Sequence, residues 1–524
     1  MQVVEIVSEE PPPIRRRVDR IVVAAAVLGA LGLAWRVWLT AFAVPPTNSD
    51  EATMGLAALH IAEGQGFPIY FYGQHYMGTL EAYLAAPLVS LLGPTVWAIR
   101  LAPMALYLAY LAIMFVLVRR LYSAGFALFT VALLALASDR IARNQLIGGG
   151  GYPETPPMVA GLLLLTLVLI TRRRHWGAYA AWGLLFGLIV WTFWLPAPYL
   201  AAAAVVLLVF RVVDGRRAAA LIGGTLAGAA PLLIDNLRSA WADSSISVFL
   251  FLNGAGTDAP LWERIVGGAW YGLPMGMGLC APSRCEPWSL WWSPVIVLLL
   301  VGAIALGIRQ WRQPGRSTDE RAKTALHLVL AIGGLLTLVS YVRSPSSADS
   351  PLESARYLIL LGMSLPAALW PLWRWAIRWR EPAARRWAVA AAAPIAALTV
   401  TMVAATASVA GVVAPYQIMR DDQDKLIAYL DGAGLSYVHT EYWVCNWIPY
   451  LTNERITCGV LNDNLEPGLN RYAPYWRPEA EVVVAQSGSP MDLELARRLP
   501  GVTPQQVGSF RVYPGIAPGV ISPG

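Results

Sequence analysis

An adjacent pair of carboxylates, Asp50 and Glu51, follows the first long apolar segment of the chain and the polar stretch Pro45–Ser49. A carboxylate at the boundary between water and lipid can accept a proton from a substrate hydroxyl within hydrogen-bond reach. The pair can instead serve the start of a helix, with Asp50 or Ser49 capping free N–H groups and Glu51 in the first turn. The first interpretation makes Asp50 catalytic and Glu51 a substrate contact, whereas the second makes both structural.

A second candidate is the glycine turn Gly148–Gly151, which leads through Tyr152 to Glu154 at the start of the next apolar segment. Consecutive glycines let the backbone approach a ligand closely. Glu154 can supply a second catalytic carboxylate, or it can simply complement the positive end of the following helix. Because Asp50 and Glu154 stand at corresponding depths in consecutive loops, we predict that they share one site, which can also hold a divalent metal.

A cation and its neighbours form the third candidate set. Arg356 and Tyr357 open a late apolar segment after a polar loop. A guanidinium binds phosphate through paired N–H groups, so this dipeptide predicts a contact to a lipid-linked phosphate. Tyr72 and His75 lie in the aromatic first loop and are further candidate substrate contacts, although a lone histidine can equally be an ordinary polar loop residue.

The scaffold for these residues is predicted to be membrane-spanning helices. Hydrophobic residues make up 56% of the chain and charged residues 14%, whereas soluble domains carry about 25% charged residues. A helix needs about 20 mostly apolar residues to cross a bilayer. Eleven segments meet this requirement: 21–43, 94–118, 121–138, 155–171, 176–194, 196–213, 217–236, 289–308, 323–342, 355–373 and 387–412.

The distribution of positive charge predicts the orientation. With the basic N-terminus (residues 1–20) in the cytoplasm, basic runs such as Arg15–Arg17 and Arg172–Arg174 all face inward, as the positive-inside rule requires. The net charge of +6 then reflects topology and does not indicate nucleic-acid binding. Arg36 and Arg100 lie near the outer end of apolar segments, and we expect them to snorkel to the interface. The predicted outer loops are 44–93, 139–154, 237–288 and 343–354.

The four cysteines all fall in segments predicted to lie outside, where disulfides persist. The local pairs Cys280–Cys285 and Cys445–Cys458 are expected, with free thiols as the alternative. The first pair lies in an outer loop of the predicted transmembrane region (21–412), and the second lies in the tail that follows it.

The tail, residues 413–524, alternates helix and strand signals and predicts a small soluble α/β domain outside the membrane. Four of its aromatic residues can stack on sugars or pack in a core: Trp443, Trp447, Tyr450 and Tyr472. The sequence has no P-loop and no dinucleotide glycine pattern, so no nucleotide cofactor is expected.

Three motifs resemble the membrane-embedded GT-C glycosyltransferases: Asp50-Glu51 after the first span, the Gly-Gln-x-Tyr-x-Gly stretch at 73–78, and Ala-Ile-Arg-Leu at 98–101. The chain looks closest to the bacterial branch that contains aminoarabinose transferases, Rgt-type lipopolysaccharide-core transferases and protein O-mannosyltransferases. The resemblance implies a GT-C-like polytopic helical fold in a prokaryotic plasma membrane, with the active site facing outside.

It also implies a reaction. Such enzymes move a sugar from a polyprenyl phosphate to an extracytoplasmic glycan, lipid or protein, usually with inversion. By motif, Asp50 matches the first-loop aspartate that acts as base or positions the acceptor, Glu154 occupies the place of the second-loop acid, and Arg356 lies where donor-phosphate contacts are expected. One feature departs from the aminoarabinose branch: its Lys-Pro step is replaced here by Met77–Glu81, so its donor specificity is not implied.

Two other functions fit a polytopic protein. A lipid-linked-sugar flippase or transporter predicts ionisable groups buried inside spans and two related halves. A glycan ligase or polymerase is also compatible with the large loop 237–288.

Overall fold

The computed structural model describes residues 19–172, 175–253, 259–280 and 285–514. The predicted cytoplasmic N-terminus, residues 1–20, therefore lies outside the described residues except for Asp19 and Arg20. The helices of the first half are α1 Arg20–Ala41, α2 Ser49–Ala62, α3 Leu80–Leu92, α4 Val96–Leu121, α5 Ala124–Ala135, α6 Asp139–Leu146, α7 Thr155–Thr171, α8 Trp176–Thr192, α9 Ala197–Val209, α10 Gly215–Gly228 and α11 Ala230–Arg238. They are followed by α12 Ser245–Asn253, α13 Leu261–Ile265, α14 Gly272–Gly276, α15 Trp292–Trp311, α16 Thr318–Arg343, α17 Ser346–Asp349, α18 Pro351–Ser354, α19 Leu361–Ala376, α20 Arg385–Ala407, α21 Val413–Gly432, α22 Tyr442–Cys445, α23 Trp447–Leu451 and α24 Pro490–Arg498.

The helices confirm a polytopic membrane fold. Each of the eleven predicted spans coincides with a helix of the described chain. Five helices are long and apolar enough to cross a bilayer, or up to eight spans if each bent pair counts as one, and four shorter apolar helices accompany them. The number of spans and their direction remain predictions.

One bent pair places polar residues at the end of the bundle. Helices α5 and α6 meet at 90°, because the apolar run ends at Leu136 and Ser138 then precedes a helix that starts with Asp139 and Arg140. Helix α6 is strongly amphipathic, as expected for a helix lying along a membrane surface. It supplies one wall of the site described below.

Helices α8 and α10 pack at very short range through glycines. A Cβ atom at Gly183 would lie 2.0 Å from the carbonyl oxygen of Leu221, and one at Gly224 would lie 2.2 Å from that of Ala180. Small residues allow such close backbone approach between helices in a bilayer.

The two arginines predicted to snorkel do not. Arg36 is fully buried, its Nε donates to Gln145 Oε1 at 3.0 Å, and its guanidinium stacks 3.5 Å from the Tyr107 ring. Arg100 is also fully buried and is ion-paired with Glu51. Protein partners replace water because neighbouring helices cover both side chains, so the snorkelling prediction was wrong.

The tail forms the expected small sheet. Its strands are β1 Tyr437–Thr440, β2 Thr457–Val460, β3 Val482–Gln486, β4 Gln505–Val507 and β5 Phe510–Pro514, in the order β2-β1-β3-β5-β4. Strand β1 is parallel to β2 and β3, whereas β5 is antiparallel to β3 and β4. The strand signals in the sequence, at residues 436–442, 455–461, 481–486 and 509–513, correspond to β1, β2, β3 and β5, while β4 was not predicted.

Both expected disulfides are present, Cys280–Cys285 and Cys445–Cys458. The second joins α22 to β2 inside an apolar cluster shared by the tail and the first outer loop, which includes Leu56, Trp447 and Tyr450. Trp447 and Tyr450 are therefore core residues. The first loop and the tail pack as one layer over the end of the bundle.

Candidate active site

The Asp50 carboxylate does not cap its own helix, because the Asn48 side chain does so. The Asn48 side chain accepts from the Glu51 N–H at 2.9 Å at the start of α2. Ser49 donates its hydroxyl to the Tyr442 carbonyl. The interpretation in which Asp50 or Ser49 caps the helix is therefore not what the structure shows, and the Asp50 carboxylate points elsewhere.

Two side chains from distant parts of the chain hold the Asp50 carboxylate. The Tyr442 hydroxyl donates to Asp50 Oδ1 at 2.5 Å, and Arg356 Nη1 lies 3.7 Å from Asp50 Oδ2. Burial, followed by the nearby Asp50 carboxylate, raises the pKa of Tyr442, so its hydroxyl remains a donor. The Asp50 side chain is 13% exposed, which leaves it accessible to a ligand.

Two cavities meet at this carboxylate. Asp50, Gly149, Tyr152 and Arg356 line both of them and form the wall between them. Gly150 and Gly151 have φ angles of +82° and +93°, a conformation that glycine adopts at no steric cost. The glycine turn thus brings the backbone at Gly149 to Asp50, where a Cβ would lie 3.8 Å from the aspartate Cβ.

The first cavity, called here the polar cavity, has a volume of about 580 Å³ and lies between α6 and the tail. Arg143 Nε donates to Asp139 Oδ2 at 3.0 Å, and the Tyr416 hydroxyl contacts both of these residues. Trp443 lies on the tail side of the cavity and is 55% exposed. An exposed aromatic face beside polar groups is suited to stacking on a sugar ring.

The second cavity, called here the aromatic cavity, has a volume of about 440 Å³. Its aromatic lining comes from the first loop and the ends of apolar helices: Phe71, Tyr76, Tyr152, Phe193, Trp194, Phe249, Tyr341 and Tyr357. Three cations also line it, Arg343, Arg356 and Arg471. A cavity with apolar walls and converging guanidinium groups fits a lipid-linked phosphate.

Glu51, Glu154, Tyr72 and His75 lie away from these two cavities. Glu51 is buried in a paired contact with Arg100, whose Nε and Nη2 donate to the two carboxylate oxygens at 2.7 and 2.8 Å. The Tyr72 hydroxyl contacts His60 Nδ1 at 2.6 Å within an aromatic cluster that includes Tyr472. His75 is exposed and stacks on Tyr70.

Glu154 is fully buried at the start of α7, outside the spans, and neither of its carboxylate oxygens has a hydrogen-bond partner among the described residues. Burial raises the pKa of Glu154. Burial also raises the pKa of Glu81, and the negative charge of Glu154 raises it further. The structure therefore places Glu154 close enough to Glu81 for their charges to interact, and it does not bring Glu154 to the cavity wall beside Asp50.

We expect Glu154→Gln to change how stability depends on pH. An unfolded glutamate ionises near 4.5, whereas the folded group holds its proton to higher pH. The stability that buried, protonated Glu154 contributes to the folded state is thus fully present below the unfolded pKa. It is lost as pH rises through the folded pKa, because the buried carboxylate must then carry a charge. A glutamine amide stays neutral at both pH values and so avoids the loss of stability at high pH. The variant should therefore melt at a higher temperature than wild type at pH 8.5 and at a similar temperature at pH 5. Equal differences at both pH values would contradict this prediction.

The sequence did not single out Arg471 as a functional residue. Its Nε donates to the Tyr442 hydroxyl at 2.9 Å, which links it to Asp50 through Tyr442. Tyr442 lies at the carboxyl end of β1, next to the flagged aromatic Trp443. Strands β1 and β3 are parallel, so the residues at their carboxyl ends lie on the same edge of the sheet, beside the polar cavity. This arrangement, which the sequence does not reveal, is what brings Tyr442 close to Asp50.

We expect Tyr442→Phe to lower kcat about tenfold with little change in KM, because a carboxylate that loses its orienting hydrogen bond samples unproductive geometries. Catalytic turnover would be measured alongside Tyr429→Phe, a half-buried tyrosine on α21. Equal losses in both variants would assign Tyr442 a structural role.

The structure does not bring together Asp50 and Glu154, the two carboxylates predicted as metal ligands. Asp50 already accepts from Tyr442 and faces the Arg356 cation, which repels a second cation. Glu154, its predicted partner ligand, is buried beside Glu81. Among the described residues, no group of three or more His, Cys, Asp or Glu side chains is placed to hold a metal ion.

No protein-family model matches the sequence, and no curated protein matches it. Solved structures are similar in fold. The chain resembles the crystal structure of ArnT from Cupriavidus metallidurans bound to undecaprenyl phosphate, with a TM-score of 0.57 and 12% identity over 96% of this chain and 99% of that chain. It also resembles the Archaeoglobus fulgidus oligosaccharyltransferase in complex with Zn and sulfate, with a TM-score of 0.50 and 12% identity over 88% and 68% of the two chains.

Proposed function

Because the chain has the fold of the GT-C membrane glycosyltransferases, we propose that it moves a monosaccharide from a polyprenyl phosphate to an acceptor outside the cytoplasm. The observation that carries this proposal is the position of Asp50, at the wall where a cationic, aromatic cavity meets a polar one. The undecaprenyl phosphate bound by ArnT supports the donor class.

The two cavities suggest separate places for donor and acceptor. We assign the donor to the aromatic cavity, where Arg343, Arg356 and Arg471 can neutralise a phosphate and apolar walls can contact the lipid. The acceptor, a glycan, a glycolipid or a protein, would enter the polar cavity and stack on Trp443. The two substrates then meet at Asp50.

The reaction follows from this placement. Asp50 accepts the proton of the acceptor hydroxyl as the hydroxyl oxygen forms a bond to the anomeric carbon. The bond from that carbon to the phosphate oxygen breaks, and its electron pair leaves with the polyprenyl phosphate. Arg356 stabilises the negative charge that develops on the leaving phosphate. A single displacement of this kind inverts the anomeric centre.

We expect Arg356→Lys to lower kcat/KM for the donor about 10-fold to 100-fold, because a lysine keeps the charge but loses the paired N–H geometry. Part of the loss should appear in the donor KM. Kinetics at varied polyprenyl-phosphate-sugar concentration would measure it, with Arg455→Lys, an exposed arginine of the tail outside both cavities, as the comparison. An unchanged donor KM and kcat would remove Arg356 from donor binding.

The function itself is tested with purified protein in proteoliposomes, a polyprenyl-phosphate sugar labelled in the sugar, and a cell-envelope extract as acceptor. Transfer of label to acceptor with release of polyprenyl phosphate supports the proposal. Movement of intact donor between leaflets without release would establish the flippase alternative. Products longer by whole glycan chains would establish a ligase or polymerase.

The proposed function also implies where the protein lies and how it is divided into domains. We propose a prokaryotic plasma-membrane protein with residues 21–412 as the transmembrane domain and 413–524 as an extracytoplasmic domain that covers the acceptor side. Both disulfides lie on the side that this topology exposes to an oxidising compartment. No nucleotide and no nucleic acid enters this scheme.

A further inference from the structure

A third cavity lies at the opposite end of the helix bundle from Asp50. It has a volume of about 680 Å³ and is lined by the ends of α4, α15, α16 and α19 and by the loop before α16. Helix α16 extends from this cavity to Arg343 at the aromatic cavity. Its 26 residues span about 39 Å at 1.5 Å per residue, so the two cavities lie at opposite membrane surfaces.

The rim of this far cavity is cationic. Arg316, Lys323, Arg374 and Arg378 all line it. Arg316 is held in place by hydrogen bonds to Thr324 Oγ1 at 2.8 Å and to the Gln310 carbonyl at 3.3 Å. Both of these partners are neutral. The Glu320 carboxylate in the same lining attracts the Arg316 charge but forms no ion pair with it among the described residues.

Of the other three cations at the rim, two form ion pairs with neighbouring acids. Lys323 and Arg378 are ion-paired to neighbours on the surface, at 2.8 and 2.7 Å. Arg374 has no ion-pair partner in the described part of the chain. The lining acid, Glu320, accepts from the Ser317 backbone and hydroxyl in the cap of α16. The rim therefore keeps two cations, Arg316 and Arg374, available for an anion.

The interior of the cavity is aromatic. Tyr122 packs against Trp370 with ring centres 4.9 Å apart, and its hydroxyl contacts His327 Nδ1 at 2.9 Å. His327 Nε2 faces the Ala303 carbonyl at 3.0 Å, so both ring nitrogens are already occupied. The interior thus offers apolar contact and few free polar groups.

We propose that the far cavity binds a membrane lipid whose phosphate headgroup contacts Arg316 and Arg374 and whose chain lies against the packed rings of Tyr122 and Trp370. A free phosphate would gain nothing from the aromatic interior, whereas an amphipathic anion uses both parts. Basic residues are expected at this membrane surface in general. What distinguishes the site is that two cations without an ion pair among the described residues open onto a cavity of ligand size.

Lipid retained by the purified protein in detergent micelles tests the proposal, with phosphatidylglycerol and phosphatidylcholine as probes and native mass spectrometry as the readout. We expect wild type to retain phosphatidylglycerol at least about tenfold more than phosphatidylcholine, and Arg316→Gln/Arg374→Gln to lose that preference. The control, Arg380→Gln/Arg386→Gln, removes the same charge from exposed positions at the same surface and should retain it. Leu306→Trp fills the cavity without changing charge and should lower retention.

Four outcomes would overturn the proposal. Equal losses in the two double variants would reduce it to general surface electrostatics, and retained lipid in Leu306→Trp would show that the cavity is not used. Equal retention of the two lipids would remove the anionic requirement. Displacement by millimolar inorganic phosphate would identify a free-phosphate site. None of these measurements depends on transferase activity.

Discussion

Asp50→Asn should lower the turnover of lipid-linked sugar by a factor of about 100 to 10,000, the range that a general base contributes. The asparagine keeps the size of the side chain and can still accept from the Tyr442 hydroxyl, but it cannot take the proton of the acceptor. The donor KM should change little, because Arg356 and the aromatic walls remain. Release of labelled sugar to acceptor would be followed in proteoliposomes at saturating donor.

The matched control is Asp421→Asn, an exposed aspartate on α21 in the tail. It should leave turnover within twofold of wild type. If Asp50→Asn folds, as judged by an unchanged melting temperature, and still turns over at the wild-type rate, Asp50 is not the base and the proposed mechanism fails.

The largest effect on stability is expected from Arg100→Gln. Arg100 is 0% and Glu51 1% exposed at the side chain, and removing one partner of a buried ion pair costs about 3–5 kcal/mol because the other charge stays buried. Arg100 also donates to the Pro45 carbonyl at 2.9 Å, so the turn that leads to Asp50 should loosen as well. Reversible unfolding in mixed micelles would measure the change in unfolding free energy.

Helix α4 provides its own control. Arg119 near its other end pairs with Asp19, and these side chains are 40% and 39% exposed. Exposed pairs contribute about 0–1 kcal/mol, so Arg119→Gln should be nearly neutral. Replacing both buried partners, as in Glu51→Leu/Arg100→Met, should destabilise less than Arg100→Gln alone. Equal effects of Arg100→Gln and Arg119→Gln would contradict the assignment of Glu51 and Arg100 as a structural pair.

The sequence predicted the scaffold well because membrane spans and local disulfides leave local signals. Each of the eleven apolar runs coincides with a helix, and cysteine spacing marked Cys445–Cys458. Asp50 and Arg356 were singled out from their positions after polar loops, and the structure places both at the wall between the cavities. Neither the segment around Asp50 nor the segment around Arg356 indicates by itself that the two side chains contact each other.

The remaining differences come from long-range burial. Glu51 and Glu154 read in the sequence as site residues or as acids at a helix start, yet the structure buries both, Glu51 in an ion pair with Arg100. Tyr442 is one of 21 tyrosines, and no local pattern pairs it with Asp50. Such contacts depend on how the tail packs on the first loop, which periodicity and spacing do not encode.

The hydrogen bond between Tyr442 and Asp50 joins residues 392 positions apart, and this separation has a consequence for biosynthesis. At about 5–20 residues per second, the ribosome finishes Tyr442 roughly 20–80 s after Asp50. During that interval the helices can already be inserted while the carboxylate lacks its partner and the polar cavity lacks its wall from the tail. On the proposed function and topology, the unfinished protein is therefore inactive, and its site is complete only when the tail has crossed the membrane and docked on the first loop.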